Sequence, residues 1–90
     1  MAWRIEFDDS SRKTLKKLDA QIAIRITKFL RERVAPLENP RLIGEALQGS
    51  KLGEFWKYRV GDYRIIARIE DEAVRILVVR IGNRREVYRR

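Results

Sequence analysis

Three apolar segments separated by short polar turns fill the last third of the chain, and they constrain the fold more than any other feature. The segments are FWKYRV at 55–60, YRIIARIE at 63–70 and the stretch 73–81, and the turns are Gly61-Asp62 and Asp71-Glu72. Apolar residues alternate with Lys, Arg or Tyr in the first two segments, which is the period of a β-strand. The third is apolar on both faces between Ile76 and Val79, as in a buried central strand. The pattern predicts a three-stranded antiparallel meander.

The first third of the chain predicts one more strand and two helices. Residues 2–7 alternate between apolar and polar, as a half-buried strand does. Helix-capping residues follow at 8–11 and at Asp19, and apolar residues recur at helical spacing over 10–18 and 20–34. Residues 35–54 are predicted to be a connection. The predicted fold class is α+β: a strand, a two-helix hairpin and the meander, with the helices on one face of a four-stranded sheet.

Composition narrows the chemistry that the chain can perform. Its 90 residues predict a single domain spanning 1–90. It contains neither cysteine nor histidine, which excludes Cys/His zinc sites and serine–histidine or cysteine–histidine catalysis, and we expect no metal and no cofactor. No stretch reaches the ~18 apolar residues of a membrane span. The acidic start also predicts no export signal, so the cytoplasm is the expected location.

The net charge of +8 favours a polyanionic partner, although a charge of this size also serves solubility. The meander concentrates cations on one predicted face: Lys57, Arg59, Arg64 and Arg68. Further cations and a tyrosine follow at Arg80, Arg84, Arg85 and Tyr88. Three interpretations stay open for this face: a phosphate site flanked by stacking rings such as Phe55, a solvated sheet surface, and an interface for an acidic protein segment.

A phosphate site of this kind can support RNA cleavage. RNA carries its own nucleophile, the 2′-hydroxyl, so an enzyme has to orient it, stabilise charge on phosphorus and protonate the leaving 5′-oxygen. Arginine supplies the charge stabilisation, and a lysine in a cluster of cations is a candidate base or acid. Lysine and arginine, with ordinary pKa values above ~10, are poor proton-transfer catalysts at neutral pH. We therefore expect slow cleavage of RNA unless another molecule or assembly positions the substrate.

The whole chain resembles the RelE/ParE superfamily of bacterial toxin–antitoxin systems, and its RelE branch in particular. The resemblance lies in AWRIEFDDSSRKTLKKL at the start, ALQGSKLGEFWKYRVGDYRIIARIED in the middle and VRILVVRIGNRREVY near the end. It implies the RelE-like fold and a ribosome-dependent endoribonuclease that cuts mRNA in the ribosomal A site. The catalytic residues that it implies are Lys57, Arg59, Arg64, Arg84 and Tyr88, with Phe55, Arg68 and Arg85 as supporting RNA contacts.

The resemblance also assigns roles. Arg64 is implied to stabilise transition-state charge, and Lys57 and Arg59 to hold phosphate and assist the 2′-hydroxyl. Arg84 is implied to serve the leaving group or the phosphate. Tyr88 is implied to stack on or orient the nucleotide. Arg59 stands where the family commonly has lysine, which favours charge stabilisation there over proton transfer. The segment 82–88 is two residues shorter than in well-known members, so Arg84 and Arg85 compete for one role.

The implied partners are an acidic antitoxin that wraps the toxin, the ribosomal A site with its mRNA and rRNA, and operator DNA only through the antitoxin. No membrane partner is expected. Two other functions remain open. One is a ParE-like inhibitor of DNA gyrase, because Tyr63-Arg64 is common to both branches. The other is a domain that binds RNA or antitoxin without catalysis. The joint presence of Lys57, Arg59, Arg84 and Tyr88 favours the nuclease.

Overall fold

The chain folds into a mixed β-sheet with two helices on one face, as a computed structural model that describes residues 2–47 and 55–83 shows. The strands are β1 (Arg4–Phe7), β2 (Glu45–Ala46), β3 (Phe55–Val60), β4 (Tyr63–Glu70) and β5 (Arg75–Asn83). The helices are α1 (Asp9–Lys17) and α2 (Ala20–Phe29). The sheet order is β1-β5-β4-β3-β2, in which β1 runs parallel to β5 and the other neighbours are antiparallel.

The α+β class and the meander are confirmed, and the strand count is corrected. The sequence predicted four strands, whereas the described residues form five, because Glu45 and Ala46 leave the predicted connection and pair with Lys57 and Trp56. The strand predicted to be central is β5, which is an interior strand between β1 and β4, and it starts and ends two residues later than expected.

The helix hairpin begins where the capping residues predict. The carboxylate of Asp8 accepts a hydrogen bond of 2.8 Å from the backbone N–H of Ser11, and this bond lowers the pKa of Asp8. Asp19 caps α2 in the same way through the N–H of Gln21, at 2.8 Å. Side-chain caps of this type satisfy amide groups that the first helical turn leaves without partners.

The second helix is not one α-helix to residue 34, as predicted. A π-helical turn covers Leu30–Val34, and the N–H of Ala35 donates to the carbonyl of Leu30 at 2.8 Å. The carbonyl of Ala35 then accepts a bond of 2.9 Å from the N–H of Trp3, which ties the helix end to the residue before β1. Leu30 and Val34, the first and last residues of this turn, are both fully buried.

The core lies between α2 and the sheet. Ile26, Leu30 and Val34 of the helical segment are buried against residues of the meander and of β5 that include Ile65 and Ile76. The part of the chain that the structure describes contains no helix long and apolar enough to span a membrane.

Tyr58 anchors the connection between the helices and the meander. Its buried hydroxyl donates a hydrogen bond of 2.7 Å to the carbonyl of Pro40, and its ring packs edge-on against Phe29 with 6.2 Å between centroids. Burial raises the pKa of the Tyr58 phenol above its ordinary value, against a smaller opposing effect of Arg41. The neutral phenol is therefore the form that the fold stabilises.

We expect Tyr58→Phe to lower the free energy of unfolding by about 1–3 kcal/mol, because the Pro40 carbonyl loses its buried donor. The folded-state pKa of Tyr58 lies above the unfolded value, so its contribution is complete below about pH 10 and declines as the pH rises further. Urea unfolding at neutral pH and near pH 10.5 measures both effects. Tyr63→Phe, at a half-buried tyrosine, is the control. Equal losses in the two variants would contradict the prediction.

Candidate functional site

The face of the sheet opposite the helices carries the predicted cations. Register places Arg59 directly opposite Arg64 and Phe55 directly opposite Arg68, while Lys57 lies opposite Ile66. Residues on one face of adjacent antiparallel strands have Cβ atoms about 4.5–5.5 Å apart when directly opposite and about 7–8 Å apart diagonally. The prediction that Lys57, Arg59 and Arg64 lie within a side chain's reach of each other is therefore supported by the pairing.

Arg64 differs from its neighbours because it is buried. Only 6% of its surface is exposed, whereas Arg59 is exposed. The alternation of apolar and polar residues in the sequence had placed both arginines on the same polar face of the sheet. The pairing of Arg64 with Arg59 on one side and Gly82 on the other places it inside the sheet rather than at an edge. The charge of Arg64 is therefore held in surroundings that screen it less than water does.

Lys57 has an acidic neighbour that the sequence did not reveal. The short strand β2 places Glu45 opposite Lys57, and the carboxylate Oε2 lies 3.9 Å from the Lys57 Nζ. Lys57 is 17% exposed and Glu45 is 66% exposed, so the lysine is the inner member of the pair. The only signal in the sequence is the short stretch Gly44-Glu45-Ala46-Leu47, which is too brief to be recognised as a strand.

At the other end of the same face, the cations are paired with carboxylates. A ladder of alternating charges crosses β1, β5 and β4 through Arg4, Glu6, Arg75, Glu70 and Arg68. Arg75 is its centre, with 2.6 Å between its Nε and Glu70 and 3.3 Å between a terminal nitrogen and Glu6. Contact with Glu70 above all, and then Glu6, raises the pKa of Arg75. Arg68 therefore belongs to this ladder as well as to the predicted supporting set.

The connection that carries Glu45 is held at several points. The indole Nε1 of Trp56 donates to the carbonyl of Ile43 at 2.8 Å, one residue before Gly44. Arg41 binds the Asp71 carboxylate with two nitrogens, at 3.0 and 2.8 Å, and this contact lowers the pKa of Asp71. These contacts fix residues 40–43 against β3 and against the turn that follows β4.

The positions of three predicted site residues remain predictions. Arg84, Arg85 and Tyr88 lie outside the described residues, which end at 83 in this part of the chain. The described end of β5 runs beside β4, with Asn83 opposite Tyr63 and Gly82 opposite Arg64. The chain therefore leaves the described sheet beside Arg64.

A second depression lies in the helix layer and contains none of the predicted site residues. It is an open depression of about 400 Å³ along α2 and the π-helical turn, lined by Ala23, Ile24, Thr27, Lys28, Arg31 and Glu32. Its residues are on the element that covers the opposite face of the sheet from the cations. We therefore place the candidate site on the Lys57, Arg59 and Arg64 face.

Comparison with known proteins identifies the family. Residues 5–88 match the family described as the ParE toxin of the type II toxin–antitoxin system parDE. The chain is 29% identical to Toxin RelG of Mycobacterium tuberculosis over 90 residues, which cover 100% of both chains. It is 32% identical to the mRNA interferase toxin RelE of Escherichia coli, over 98% of this chain and 92% of that protein.

Solved structures share the fold. The RelBE2 toxin–antitoxin complex of Mycobacterium tuberculosis aligns with a TM-score of 0.79 and 24% identity, over 92% of each chain. The intact RelBE toxin–antitoxin complex of E. coli aligns with a TM-score of 0.74 and 26% identity, over 91% of this chain and 96% of that chain. The chain therefore belongs to the RelE/ParE superfamily and is a RelE-family toxin of a type II toxin–antitoxin system.

Proposed function

We propose that this toxin is a ribosome-dependent, metal-independent endoribonuclease that cleaves mRNA in the ribosomal A site and so inhibits translation. The observation that carries the proposal is the convergence of Lys57, Arg59 and Arg64 on one sheet face, with Arg64 buried. A phosphate between β3 and β4 would meet all three cations. The mRNA interferase name of the E. coli relative supports the same activity.

The mechanism follows from what these side chains can do. Arg64 stabilises the charge that develops on the phosphoryl oxygens as the 2′-oxygen attacks, because a preorganised cation needs little rearrangement during the reaction. Lys57 and Arg59 hold the scissile phosphate and orient it. Arg84, or Arg85 in its place, serves the leaving 5′-oxygen, and Tyr88 stacks on the nucleotide. Phe55 and Arg68 contact the RNA beside the site.

Dependence on the ribosome has a physical reason. The cationic side chains of the site are poor proton donors and acceptors at neutral pH because their ordinary pKa values exceed about 10. Rate acceleration must then come largely from holding the 2′-oxygen, the phosphorus and the leaving oxygen in line. The A site supplies that alignment by fixing the codon. Contacts with rRNA phosphates use the same net positive charge of +8.

We propose a cognate antitoxin as the regulator of this activity. The solved relatives include toxin–antitoxin complexes, and an acidic, partly helical antitoxin would complement the basic toxin. It would wrap the toxin in the cytoplasm and neutralise it, and it would carry any operator DNA binding of the complex.

One observation favours a second candidate function. The family that residues 5–88 match is described as the ParE toxin of parDE systems. The alternative is therefore inhibition of DNA gyrase without nuclease chemistry. The Tyr63-Arg64 pair occurs in both branches and does not separate them. Lys57 and Arg59 beside Arg64 favour the nuclease, because a gyrase inhibitor has no need of a phosphate site in this position.

The test is to translate a reporter mRNA in a purified system with the wild-type toxin and with Arg64→Ala, and to map 5′ ends by primer extension. Cleavage within A-site codons by the wild type alone supports the nuclease. Intact mRNA with loss of gyrase supercoiling supports the alternative. Binding of RNA or antitoxin without either effect identifies a non-catalytic domain.

A further inference from the structure

We propose that Glu45 is the base that accepts the proton of the 2′-hydroxyl, an inference that rests on the proposed nuclease function. It deepens that proposal by assigning a step for which the cations of the site are poorly suited. The carboxylate reaches the candidate site from β2, with its Oε2 3.9 Å from the Nζ of Lys57. It is the carboxylate that the structure pairs with Lys57.

The first argument is chemical. A base must have a free electron pair at neutral pH, and lysine and arginine side chains with ordinary pKa values above about 10 are almost fully protonated there. A glutamate side chain, with an ordinary value of about 4.3, is an acceptor under the same conditions. The catalytic-set residues that the structure describes, Lys57, Arg59 and Arg64, are cations that bind phosphate, and Glu45 supplies the proton acceptor that these three lack.

The second argument is that Glu45 is held in place by its backbone. Glu45 and Ala46 pair with Lys57 and Trp56, and the N–H of Leu47 donates to the carbonyl of Phe55 at 3.1 Å. On the other side of Glu45, the carbonyl of Ile43 accepts the indole bond of Trp56. The backbone is thus fixed both before and after Glu45, while its side chain stays open to a substrate.

The third argument compares Glu45 with two other acidic residues that the structure describes on this face. Glu6 and Glu70 both bind Arg75 in the ladder of ion pairs, and Glu70 also approaches Arg68. Glu45 has a looser contact, and its side chain is 66% exposed. Exposed ion pairs of this kind are weak, so a phosphate that binds Lys57 can displace the carboxylate from it. The displaced carboxylate remains beside the phosphate that carries the neighbouring 2′-hydroxyl.

The step balances without any further reagent except water. Oε2 of Glu45 takes the proton of the 2′-hydroxyl while the 2′-oxygen forms a bond to phosphorus. The bond between phosphorus and the 5′-oxygen breaks, and its electron pair leaves on that oxygen, which takes a proton from water. The products are a 2′,3′-cyclic phosphate and a 5′-hydroxyl. Lys57 keeps its proton and its contact with a non-bridging oxygen throughout.

The test measures single-turnover cleavage of mRNA on programmed ribosomes by the wild type and by Glu45→Gln, Glu45→Asp and Glu45→Ala. We expect Glu45→Gln to lower the rate constant by about 10²–10³-fold, within the usual range for loss of a general base. Ribosome binding should be unchanged or tighter, because an anion has been removed. Glu45→Asp keeps a carboxylate, so its rate constant should lie between those of the wild type and Glu45→Gln. Glu72→Gln makes the same charge change at an exposed turn and is the matched control.

Chemical rescue separates a base from a residue that only supports the site. Added formate should raise the cleavage rate constant of Glu45→Ala at least tenfold, whereas chloride at the same ionic strength should leave it unchanged. Cleavage by Glu45→Gln within threefold of the wild type would overturn the proposal and leave the nuclease function standing. Loss of activity without rescue by formate would also overturn it. A wild type that leaves ribosome-bound mRNA intact would overturn both.

Discussion

Replacing Arg64 with alanine should lower single-turnover mRNA cleavage on the ribosome by about 10²–10³-fold, which corresponds to about 2.7–4 kcal/mol of transition-state stabilisation. The size of the effect follows from burial. Arg64 is 6% exposed and lies between β3 and β5, so its charge acts in surroundings that screen it less than water does. An exposed arginine such as Arg59 is expected to contribute less.

Loss of catalysis in Arg64→Ala has to be distinguished from loss of the fold. Because Arg64 is buried, its loss can also weaken the fold, so the thermal midpoint of each variant has to be measured beside its rate. Arg64→Lys keeps a positive charge but loses the planar, two-pronged donor group, and we expect partial activity from it. Arg33→Ala removes an exposed arginine from the π-helical turn and should leave cleavage unchanged. A correctly folded Arg64→Ala toxin with a rate within tenfold of the wild type would contradict the assigned role.

Replacing Gly44 with alanine should destabilise the protein by about 2–4 kcal/mol, because it combines backbone strain with a steric clash. Gly44 has a φ of +80°, and a Cβ there would lie 2.6 Å from the carbonyl oxygen of Lys57 and 2.9 Å from both Trp56 Nε1 and Tyr58 Cδ1. The nearest of these atoms belongs to the backbone of β3 and cannot rotate away. The strand β2 must then move away from β3 and take Glu45 with it.

Gly61→Ala provides a matched control in the same molecule. Gly61 also has a positive φ, of +59°, but a Cβ there would meet only the flexible guanidinium of Arg25, at 3.5 Å or more. We expect a cost of about 1–2 kcal/mol from the left-handed backbone alone. Urea unfolding of both variants measures the difference, and cleavage assays report whether β2 has shifted. Equal destabilisation by the two substitutions would show that the close approach at Gly44 is of no consequence.

The sequence predicts the site well where local chemistry determines it. Gly61-Asp62 is a short turn between two alternating segments, and such a turn sets the register, so it brings Arg59 opposite Arg64. Asp8 and Asp19 likewise act locally, since each caps the helix that follows it directly. These features need no knowledge of distant parts of the chain.

Distant contacts determine what the sequence did not predict. Glu45 and Ala46 have little intrinsic preference for strands, and they form β2 because Trp56 and Tyr58 bind the carbonyls of Ile43 and Pro40 just before them. A bulge between Ile66 and Ala67 in the pairing with β5 also breaks the strict match of alternating faces. The burial of Arg64 depends on both of its neighbouring strands, which alternation alone does not describe.

The parallel pairing of β1 with β5 has a consequence for how the protein folds during its synthesis. Arg4 of β1 pairs with Arg75 of β5, so β1 acquires this neighbour only when the chain has been made as far as β5. The helix hairpin and the meander consist of local contacts that form readily, whereas closing this long loop comes late. A growing chain therefore cannot complete its sheet while β5 is still inside a translating ribosome. The sheet of the toxin that we propose to act on ribosomes is thus completed only after β5 has left the ribosome that made it.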